Sequence, residues 1–349
     1  MTHMTDFAAQ VTFINVGNGD AILVEVPNGN CREGRFVMLI DGGSNENAEY
    51  EETATERIRA AEYLEQKGVG HIDIMVCTHI HEDHTCGLLP VAKKWLPGEL
   101  WQPFPMETVS MMKYLWMKAE TESGNKIIAA LNDFHKLTTY VKENGGKVLQ
   151  KTPFMGRSER VDKSMAGEPL IAREPLIAEG VSVKVLGPSA AALERENEWM
   201  KELYGEGHTE LLPEMDRYMN SASLLMRFTC GGKSFLFTGD TEKDCYKDCM
   251  EKIRADVFKV GHHGQENSLS REVLQAVSPK AAVICVSSDR RYESGSPVVL
   301  QMLAEAGVRT YYSDCPAVPP YTDGVTAHRA VVFQVGKDET LQVAYENDK

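Results

Sequence analysis

The amino-acid sequence predicts an α/β fold built in layers. Short apolar runs of strand length alternate with segments whose apolar residues recur at helical spacing. Several of these runs lead directly into loops that contain glycine together with aspartate or histidine. Such alternation is typical of helices packed on sheets. Because no stretch resembles an interdomain linker, we expect residues 1–349 to form a single domain.

The predicted elements fall into three groups along the chain. The first group consists of strands over 11–16, 21–26, 36–40 and 72–77 and a helix over 52–67. The middle region, 91–220, is predicted to be a largely helical insertion that lies over the site as a lid. Its predicted elements are helices over 108–119, 125–143 and 190–204 and a strand over 181–186. The last group consists of strands over 223–228, 234–237, 257–260, 281–286, 310–312 and 330–335 and helices over 243–254, 270–277 and 297–306.

Charge and composition narrow the classes of function. The chain carries 51 acidic and 37 basic residues, a net charge of −14, which argues against tight, non-specific binding of long nucleic acids. The N-terminus shows no secretory signal, and no apolar run approaches the roughly 20 residues of a membrane span. The eight cysteines include no C-x-x-C pair. We therefore expect a cytoplasmic protein without a membrane partner.

The clearest chemical signal is a cluster directly after the strand predicted over 72–77. It comprises His79, His81, Asp83 and His84. In an extended segment alternate side chains share a face, so His79 and His81 can bind one ion. Asp83 and His84 follow where the chain turns away and can bind a second. Imidazole and carboxylate ligands suit zinc, and also manganese.

Two later loops supply the remaining ligands of a two-metal site. Asp240 follows the strand over 234–237 and is predicted to bridge the two ions. His262 and His263 follow the strand over 257–260; one of them is expected to complete the second ion, and we favour His262. The other would contact the substrate or donate a proton to the leaving group. Asp41 and Asp20 lie in loops that could approach the same site, Asp41 as a residue that holds the ligand loop.

With these motifs the chain resembles the metallo-β-lactamase superfamily. Within it, the sequence is similar to the hydrolase domain of ComEC-type DNA-uptake proteins. The resemblance is carried by NVGNGDAILV (15–24), LIDGG (39–43), THIHEDHTCGL (78–88), NSASLL (220–225), LFTGD (236–240) and VGHHG (260–264). It implies a four-layer αββα sandwich with a dinuclear site at one edge of the two sheets, and phosphodiester hydrolysis as the default activity.

The chain departs from the family pattern at three places. Many members have a further histidine ligand before the strand predicted at 223; here Asn220 or a water takes that place, and His208, in a Gly-His-Thr sequence, is a second candidate. Ser296 stands where the subgroup usually has a histidine before proline. No membrane channel is visible in the sequence, so DNA uptake itself is not implied.

The predicted activity is hydrolysis by a water that two metal ions activate, with Asp83 orienting the attack. The substrate would be a phosphodiester, either the end of a single-stranded DNA or a nucleotide or other small phosphodiester. Zinc is the preferred metal and manganese the alternative. Hydrolysis of an ester, lactone or thioester would use the same site. A metal-binding, non-catalytic partner of a nucleic-acid-processing or defence complex is a further alternative, which the intact ligands disfavour.

Overall fold

The computed structural model describes residues 7–51, 54–153, 176–178 and 180–347. Fifteen strands lie in this part of the chain. They are β1 Phe7–Ile14, β2 Ile22–Pro27, β3 Arg35–Ile40, β4 Ile74–Val76, β5 Glu99–Gln102, β6 Lys147–Gln150, β7 Leu176–Ala178, β8 Val181–Gly187, β9 Leu225–Cys230, β10 Lys233–Phe237, β11 Val257–Lys259, β12 Ala281–Ile284, β13 Arg309–Tyr312, β14 Ala330–Gly336 and β15 Leu341–Glu346.

Nine α-helices connect the strands within the described residues. They are α1 Ala60–Gln66, α2 Glu82–Thr85, α3 Leu88–Lys94, α4 Met106–Met111, α5 Glu122–Glu143, α6 Ala190–Glu206, α7 Leu212–Tyr218, α8 Arg271–Val277 and α9 Pro297–Glu305. The ends of α6 follow ordinary capping rules: Ser189 accepts a hydrogen bond from the Ala192 amide, and Gly207 ends the helix with a φ of 79°. Among these residues, no helix combines the length and apolarity needed to cross a membrane.

The strands form two mixed sheets. The eight-stranded sheet has the order β15-β14-β1-β2-β3-β4-β5-β6, and the seven-stranded sheet has the order β13-β12-β11-β10-β9-β8-β7. In the first sheet β3, β4, β5 and β6 run parallel. In the second, β10, β11, β12 and β13 do so. Each sheet therefore has a parallel half whose strands all end at the same edge.

Three buried apolar clusters define the layers. The central cluster joins the facing sides of the two sheets and includes Phe13, Phe237 and Phe333. A second cluster packs the outer side of the first sheet against helices that include α5, and a third packs the outer side of the second sheet against α8 and α9. The order is helices, sheet, sheet, helices. The predicted αββα sandwich is confirmed.

The helix predicted over 52–67 is wrong in its first half. Helix α1 begins only at Ala60, and residues 52 and 53 lie outside the described part of the chain. The backbone before it is committed elsewhere: the Ile58 amide donates to the Asn15 carbonyl, and Arg57 forms an ion pair with Asp314. These long-range contacts replace the i to i−4 bonds that a helix would need.

Two further helices are shorter than predicted. The segment over 108–119 is helical only as far as Met111, because the Asn132 side chain bonds both the amide and the carbonyl of Leu115 and holds this stretch extended against α5. The segment over 243–254 forms 3-10 turns at 243–246 and 250–252 rather than a helix. Here the Lys243 amide donates to the Asn267 carbonyl, which ties the segment to the loop after β11.

The region 91–220 contains more sheet than predicted. Besides α4 to α7 it provides β5 and β6 at one end of the first sheet and β7 and β8 at one end of the second. Within this region, residues 154–175 and 179 lie outside the described part. The described portion therefore extends both sheets as well as adding helices, and the single-domain organisation stays a prediction.

Candidate metal centre

The candidate ligands lie where parallel strands end at one edge of the sandwich. Asp41 follows β3 and His79 comes shortly after β4, its neighbour in the first sheet. Asp240 comes shortly after β10, and the pair His262-His263 comes shortly after β11, its neighbour in the second sheet. Because parallel strands end at a common edge, these four loops converge.

The first group of ligand atoms is a pair of imidazoles. His79 Nε2 and His81 Nδ1 lie 3.1 Å apart, with ring centroids 4.9 Å apart and the rings nearly perpendicular. The His79 ring also lies 4.2 Å from the ring of His84. His79 therefore stands between the imidazole of His81 and the second group of ligands.

The second group consists of Asp83, His84, Asp240 and His263. Asp240 Oδ2 lies 3.3 Å from His84 Nε2 and 3.0 Å from His263 Nε2. His263 Nε2 also lies 3.1 Å from Asp83 Oδ2. Ligand atoms of Asp20, His84, Asp240 and His263 all fall within 4.8 Å of one another, and all four residues are buried. This set can surround a cation.

Asp41 fixes the orientation of two of these imidazoles. Its Oδ2 lies 2.8 Å from His84 Nδ1 and accepts a hydrogen bond from Thr78 Oγ1 at 2.7 Å. Thr78 Oγ1 is in turn 3.0 Å from His79 Nδ1. With the protons on these Nδ1 atoms, both rings direct an Nε2 lone pair towards the cluster.

The other two imidazoles are held by backbone carbonyls. His263 Nδ1 lies 2.9 Å from the carbonyl oxygen of Cys285, the residue after β12, and His81 Nε2 lies 3.1 Å from that of Asp216 in α7. Donation to these carbonyls leaves His263 Nε2 and His81 Nδ1 as the free ring nitrogens. All four histidines thus present a lone pair to the centre, which is the usual arrangement around a bound metal.

The electrostatics of the centre show how strongly it attracts positive charge. Burial opposes a charge on His263, but the carboxylates of Asp240 and Asp83 raise its pKa to about 10. Burial also opposes a charge on His84, yet Asp240 and Asp20 raise its pKa well above the usual value. Conversely, burial favours a neutral Asp240, but His263 and His84 hold its pKa well below the usual range. A divalent cation can replace the imidazole protons that balance these carboxylates.

Unpartnered atoms supply an independent test of whether the centre fits metal ions. Within the described residues, His84 Nε2, His263 Nε2 and Asp20 Oδ1 are buried and make no aligned hydrogen bond. Buried polar atoms without partners are costly, and they recur where an ion belongs. Nitrogen and carboxylate donors of this kind match divalent transition metals. The residues therefore fit the implied metal centre.

The preference for His262 as the ligand of the second ion disagrees with this geometry. The backbone takes positive φ angles of 44° at His262 and 49° at His263, and the turn sends the two rings in different directions. His262 Nε2 faces the side-chain amides of Asn220 and Gln265, at 3.1 and 3.0 Å, while its Nδ1 lies 3.0 Å from Asn267 Oδ1. The structure places His263, not His262, among Asp83, His84 and Asp240.

Asn220 and His208, the two candidates for the missing histidine, occupy very different places. Asn220 is buried, and its side-chain amide contacts the ring of His262, the neighbour of the candidate ligand His263. His208 lies beyond the end of α6, where its nitrogens are 3.6 Å from Glu202 and 3.2 Å from Glu206. The left-handed turn at Gly207 returns the chain towards its own helix, and the candidacy of His208 is wrong for this reason.

Sequence reasoning missed Lys259, which is completely buried beside the centre. Its Nζ lies 2.5 Å from Asp20 Oδ2 and 3.4 Å from Asp240 Oδ1, and it donates to the Gly239 carbonyl at 2.6 Å. The sequence did hold a signal, since a lysine inside the apolar stretch 257–260 must find a buried counter-charge.

Asn18 was also missed, although it touches a candidate ligand directly. Its Nδ2 donates to Asp83 Oδ2 at 2.8 Å. Asn18 stands in the turn between β1 and β2, where the Asp20 amide also donates to the Asp83 carbonyl at 3.2 Å. Gly19 permits this approach, because a Cβ there would lie 2.0 Å from the Asp83 carbonyl oxygen. The turn therefore braces the Asp83 loop.

Comparison with known proteins agrees with this arrangement. The family description "Metallo-beta-lactamase superfamily" matches residues 14–103 and 175–288, more than half of the chain. The chain belongs to the metallo-β-lactamase superfamily. Together with the clustered ligands, this membership makes it a metal-dependent hydrolase of that superfamily.

Two curated relatives of this superfamily member are similar over part of their length. ComE operon protein 3 of Bacillus subtilis is 38% identical over 98 residues, which is 27% of this chain and 13% of that protein. Competence protein ComA of Neisseria gonorrhoeae is 27% identical over 122 residues, which is 33% of this chain and 18% of that protein. The chain thus matches less than a fifth of either relative.

Solved structures align with the chain over most of its length but loosely. Zinc-bound PqqB from Methylobacterium extorquens aligns with a TM-score of 0.41 and 10% identity, over 87% of this chain and 97% of that one. A diphosphatase of the PhnP family aligns with a TM-score of 0.37 and 12% identity, over 87% of this chain and 94% of that one.

Proposed function

We propose that this protein is a phosphodiesterase that works with two divalent cations. The observation that carries the proposal is the contact of the buried Asp240 carboxylate with two imidazoles of the second group, directly beside the first group. Its Oδ2 lies within 3.3 Å of His84 Nε2 and His263 Nε2, and the His84 ring lies 4.2 Å from the ring of His79 in the first group. A buried carboxylate where two groups of ligands adjoin is what a shared, dinuclear centre requires.

The chain would hold the two cations with distinct sets of atoms. His79 Nε2 and His81 Nδ1 would hold the first cation, and Asp83, His84 Nε2 and His263 Nε2 would hold the second, with Asp240 available to both. The histidine-rich set favours zinc, and the carboxylates also admit manganese. Cations bound there would supply Lewis-acid activation of a water and of a phosphoryl group.

The surrounding residues would keep this centre in one geometry. Asp41 holds His84 directly and His79 through Thr78. Asn18 holds Asp83 Oδ2 from the side of the β1–β2 turn. The role proposed for Asp83, orienting the attack on phosphorus, is supported by this fixed carboxylate, whose side chain is still 18% exposed. A rigid arrangement of this kind lowers the reorganisation that reaction requires.

His262 supports a role next to the substrate rather than in metal binding. Its side chain is 17% exposed, and burial lowers the pKa of its imidazole, so the ring is neutral near pH 7. A neutral imidazole at the rim can accept a proton from an incoming group and pass it on. The proposal therefore assigns His263 to the second cation and His262 to the substrate, the reverse of the preference drawn from the sequence.

Phosphodiesters are the favoured substrates for two reasons. The chain resembles the hydrolase domain of ComEC-type DNA-uptake proteins, and its curated relatives include a competence protein. The net charge of −14 disfavours long polyanions that must bind along the surface. Short single strands, strand ends and nucleotides satisfy both conditions.

The test is a comparison of substrates on the same protein preparation. Purified protein loaded with Zn²⁺ or Mn²⁺ would be assayed with bis-p-nitrophenyl phosphate, labelled single-stranded DNA and p-nitrophenyl acetate. We expect metal-dependent cleavage of the phosphodiesters, lost in His81→Ala and retained in His208→Ala, the matched histidine outside the centre. Cleavage of the ester without either phosphodiester would overturn the proposal in favour of ester or thioester chemistry.

A further inference from the structure

The loop over 287–296 lies directly against the turn at 262–264, which carries the candidate ligand His263. It connects β12 to α9, and at its end the Gly295 amide donates to the His263 carbonyl at 2.9 Å. The next amide, of Ser296, donates to the Gly264 carbonyl at 2.8 Å. The position of this loop is therefore fixed relative to His263.

The middle of this loop holds an exposed aromatic side chain in a strained backbone. Arg290, Tyr292 and Glu293 have φ angles of 50°, 56° and 59°, a region that side chains other than glycine and asparagine rarely adopt. Tyr292 is 65% exposed. Such strain persists where the surrounding fold enforces it, and it is concentrated at functional sites.

Lys126, on helix α5, contacts the hydroxyl of this tyrosine. Its Nζ lies 3.3 Å from the Tyr292 hydroxyl and 3.2 Å from Glu122 Oε1, an ion pair that solvent screens because the two side chains are 54% and 86% exposed. Lys126 stands on the first turns of α5, which pack against α7, since a Cβ at Gly124 would lie 3.8 Å from the Leu212 Cβ. Asp216 Oδ1 lies 3.6 Å from His81 Nε2. The contact between the tyrosine and the lysine therefore joins the loop beside His263 to a helix that packs against α7, the helix in contact with His81.

A second positively charged side chain, that of Arg290, lies in the same loop as Tyr292. Arg290 donates to the carbonyls of Ser294 and Gly295, at 3.1 and 3.5 Å, and within the described residues no carboxylate lies within 4.0 Å of its guanidinium. Arg291, by contrast, pairs with Glu49 and with Asp289. Arg290 thus keeps its positive charge available beside the metal-binding turn of this acidic protein.

We propose that Tyr292, Lys126 and Arg290 form a subsite for the nucleotide next to the scissile phosphodiester of a single-stranded nucleic acid. The Tyr292 ring stacks on the base, and the side chains of Lys126 and Arg290 contact the adjoining phosphate. An exposed aromatic beside cations is the usual device for binding single strands without sequence preference. The inference rests on the proposed function and specifies its substrate.

The first test measures binding apart from cleavage. Fluorescence anisotropy of fluorescein-labelled (dT)8 in EDTA would compare Tyr292→Leu, which removes the aromatic face, with Tyr292→Phe, which keeps it. We expect Tyr292→Leu to raise the Kd roughly 5- to 150-fold, the range of base–aromatic stacking. Tyr292→Phe should stay within about twofold of the wild type. An equal loss in both variants, or in neither, would overturn the stacking role.

A matched aromatic control guards against non-specific binding to the surface. Trp116 is 88% exposed and packs on Tyr114 with centroids 4.5 Å apart. Trp116→Leu removes a larger aromatic from elsewhere and should leave the Kd unchanged. A loss as large as that of Tyr292→Leu would overturn the assignment of this subsite.

The phosphate contact has its own signature in salt dependence. Lys126→Met should make the slope of log K against log salt shallower by about 0.7, the value for one contact to a single strand. Lys142→Met, on the exposed side of the same helix, should not change the slope. Equal slopes in Lys126→Met and the wild type would overturn the contact.

Kinetics separate this inference from the proposed function. With the loaded enzyme, Tyr292→Leu should raise the KM for (dT)8, while Trp116→Leu should leave the KM for (dT)8 and the kcat for bis-p-nitrophenyl phosphate within about twofold. If the wild type cleaves bis-p-nitrophenyl phosphate but neither binds nor cleaves (dT)8, the subsite is overturned and phosphodiesterase activity stands. If the wild type cleaves neither, the proposed function fails and the subsite fails with it.

Discussion

Asp41 Oδ2 lies 2.8 Å from His84 Nδ1, and both side chains are completely buried. The same oxygen accepts a hydrogen bond from the Thr78 hydroxyl, and that hydroxyl also contacts His79 Nδ1. A single carboxylate at the end of β3 thus orients one imidazole from each group of candidate metal ligands. This relationship links the two groups of candidate ligands through one carboxylate.

Replacing Asp41 by asparagine is expected to weaken metal binding at both positions. Asparagine tolerates the φ of 57° at this residue, so the backbone should be preserved. Loss of such supporting contacts typically costs about 10- to 100-fold in metal affinity. Competition with a chromophoric zinc chelator would measure both affinities. Asp244→Asn, at an exposed position, is the control; unchanged affinities in Asp41→Asn would contradict the prediction.

The two neighbouring histidines should differ sharply in metal binding. We expect His263→Ala to lose the second ion and His262→Ala to retain two, because only His263 Nε2 lies beside Asp83 and Asp240. Both variants place alanine at a positive φ, so backbone strain is matched. Elemental analysis of dialysed protein would count the ions. The reverse pattern would restore His262 as the ligand.

Lys259→Met should destabilise the metal-free protein more than the loaded protein. Without the ammonium group, the buried carboxylate of Asp20 loses its partner, and breaking a buried ion pair costs roughly 3–5 kcal/mol. Bound zinc would supply positive charge to the same carboxylates and offset part of this loss. Urea unfolding with EDTA and with Zn²⁺ would measure both free energies of unfolding.

The control for this experiment is Lys280→Met, which removes an exposed lysine paired with Asp256 at 3.3 Å. It should change the free energy of unfolding by less than about 1 kcal/mol under either condition. An equal loss for Lys259→Met with and without zinc would show that the lysine acts through packing alone.

Glu196 in α6 is expected to make stability depend on pH. Among the described residues its carboxyl oxygens have no hydrogen-bond partner, and burial raises its pKa to about 8, opposed only by Arg195. The unfolded group, with a pKa of about 4.5, releases its proton first. Glu196 therefore lowers the free energy of unfolding as the pH rises from about 4.5 to about 8.

Glu196→Gln should remove this dependence and be more stable than the wild type at pH 8. Urea unfolding at pH 6 and pH 8.5 would measure the difference. Glu198→Gln, an exposed position on the same helix, should behave as the wild type does. A wild type whose stability relative to Glu196→Gln is the same at both pH values would contradict the assignment.

Local patterns were sufficient for most of the strands and for the ligand cluster. The apolar runs that became β3, β10 and β11 are buried on both faces, so their composition alone identified them. His79, His81, Asp83 and His84 stand within six residues, where spacing and chemistry suffice. The helix predictions were wrong where a distant side chain hydrogen-bonds the backbone, as Asn132 does at Leu115.

The sequence by itself determined the layered α/β fold and which loops carry the candidate ligands, because both follow from periodicity and residue type close together in the chain. Only the tertiary structure decided that His263 rather than His262 faces Asp240, and that Lys259 balances Asp20. The physical reason is that a ring's direction depends on a left-handed turn of the backbone, and a buried charge depends on a partner more than two hundred residues away. Neither is encoded in local spacing.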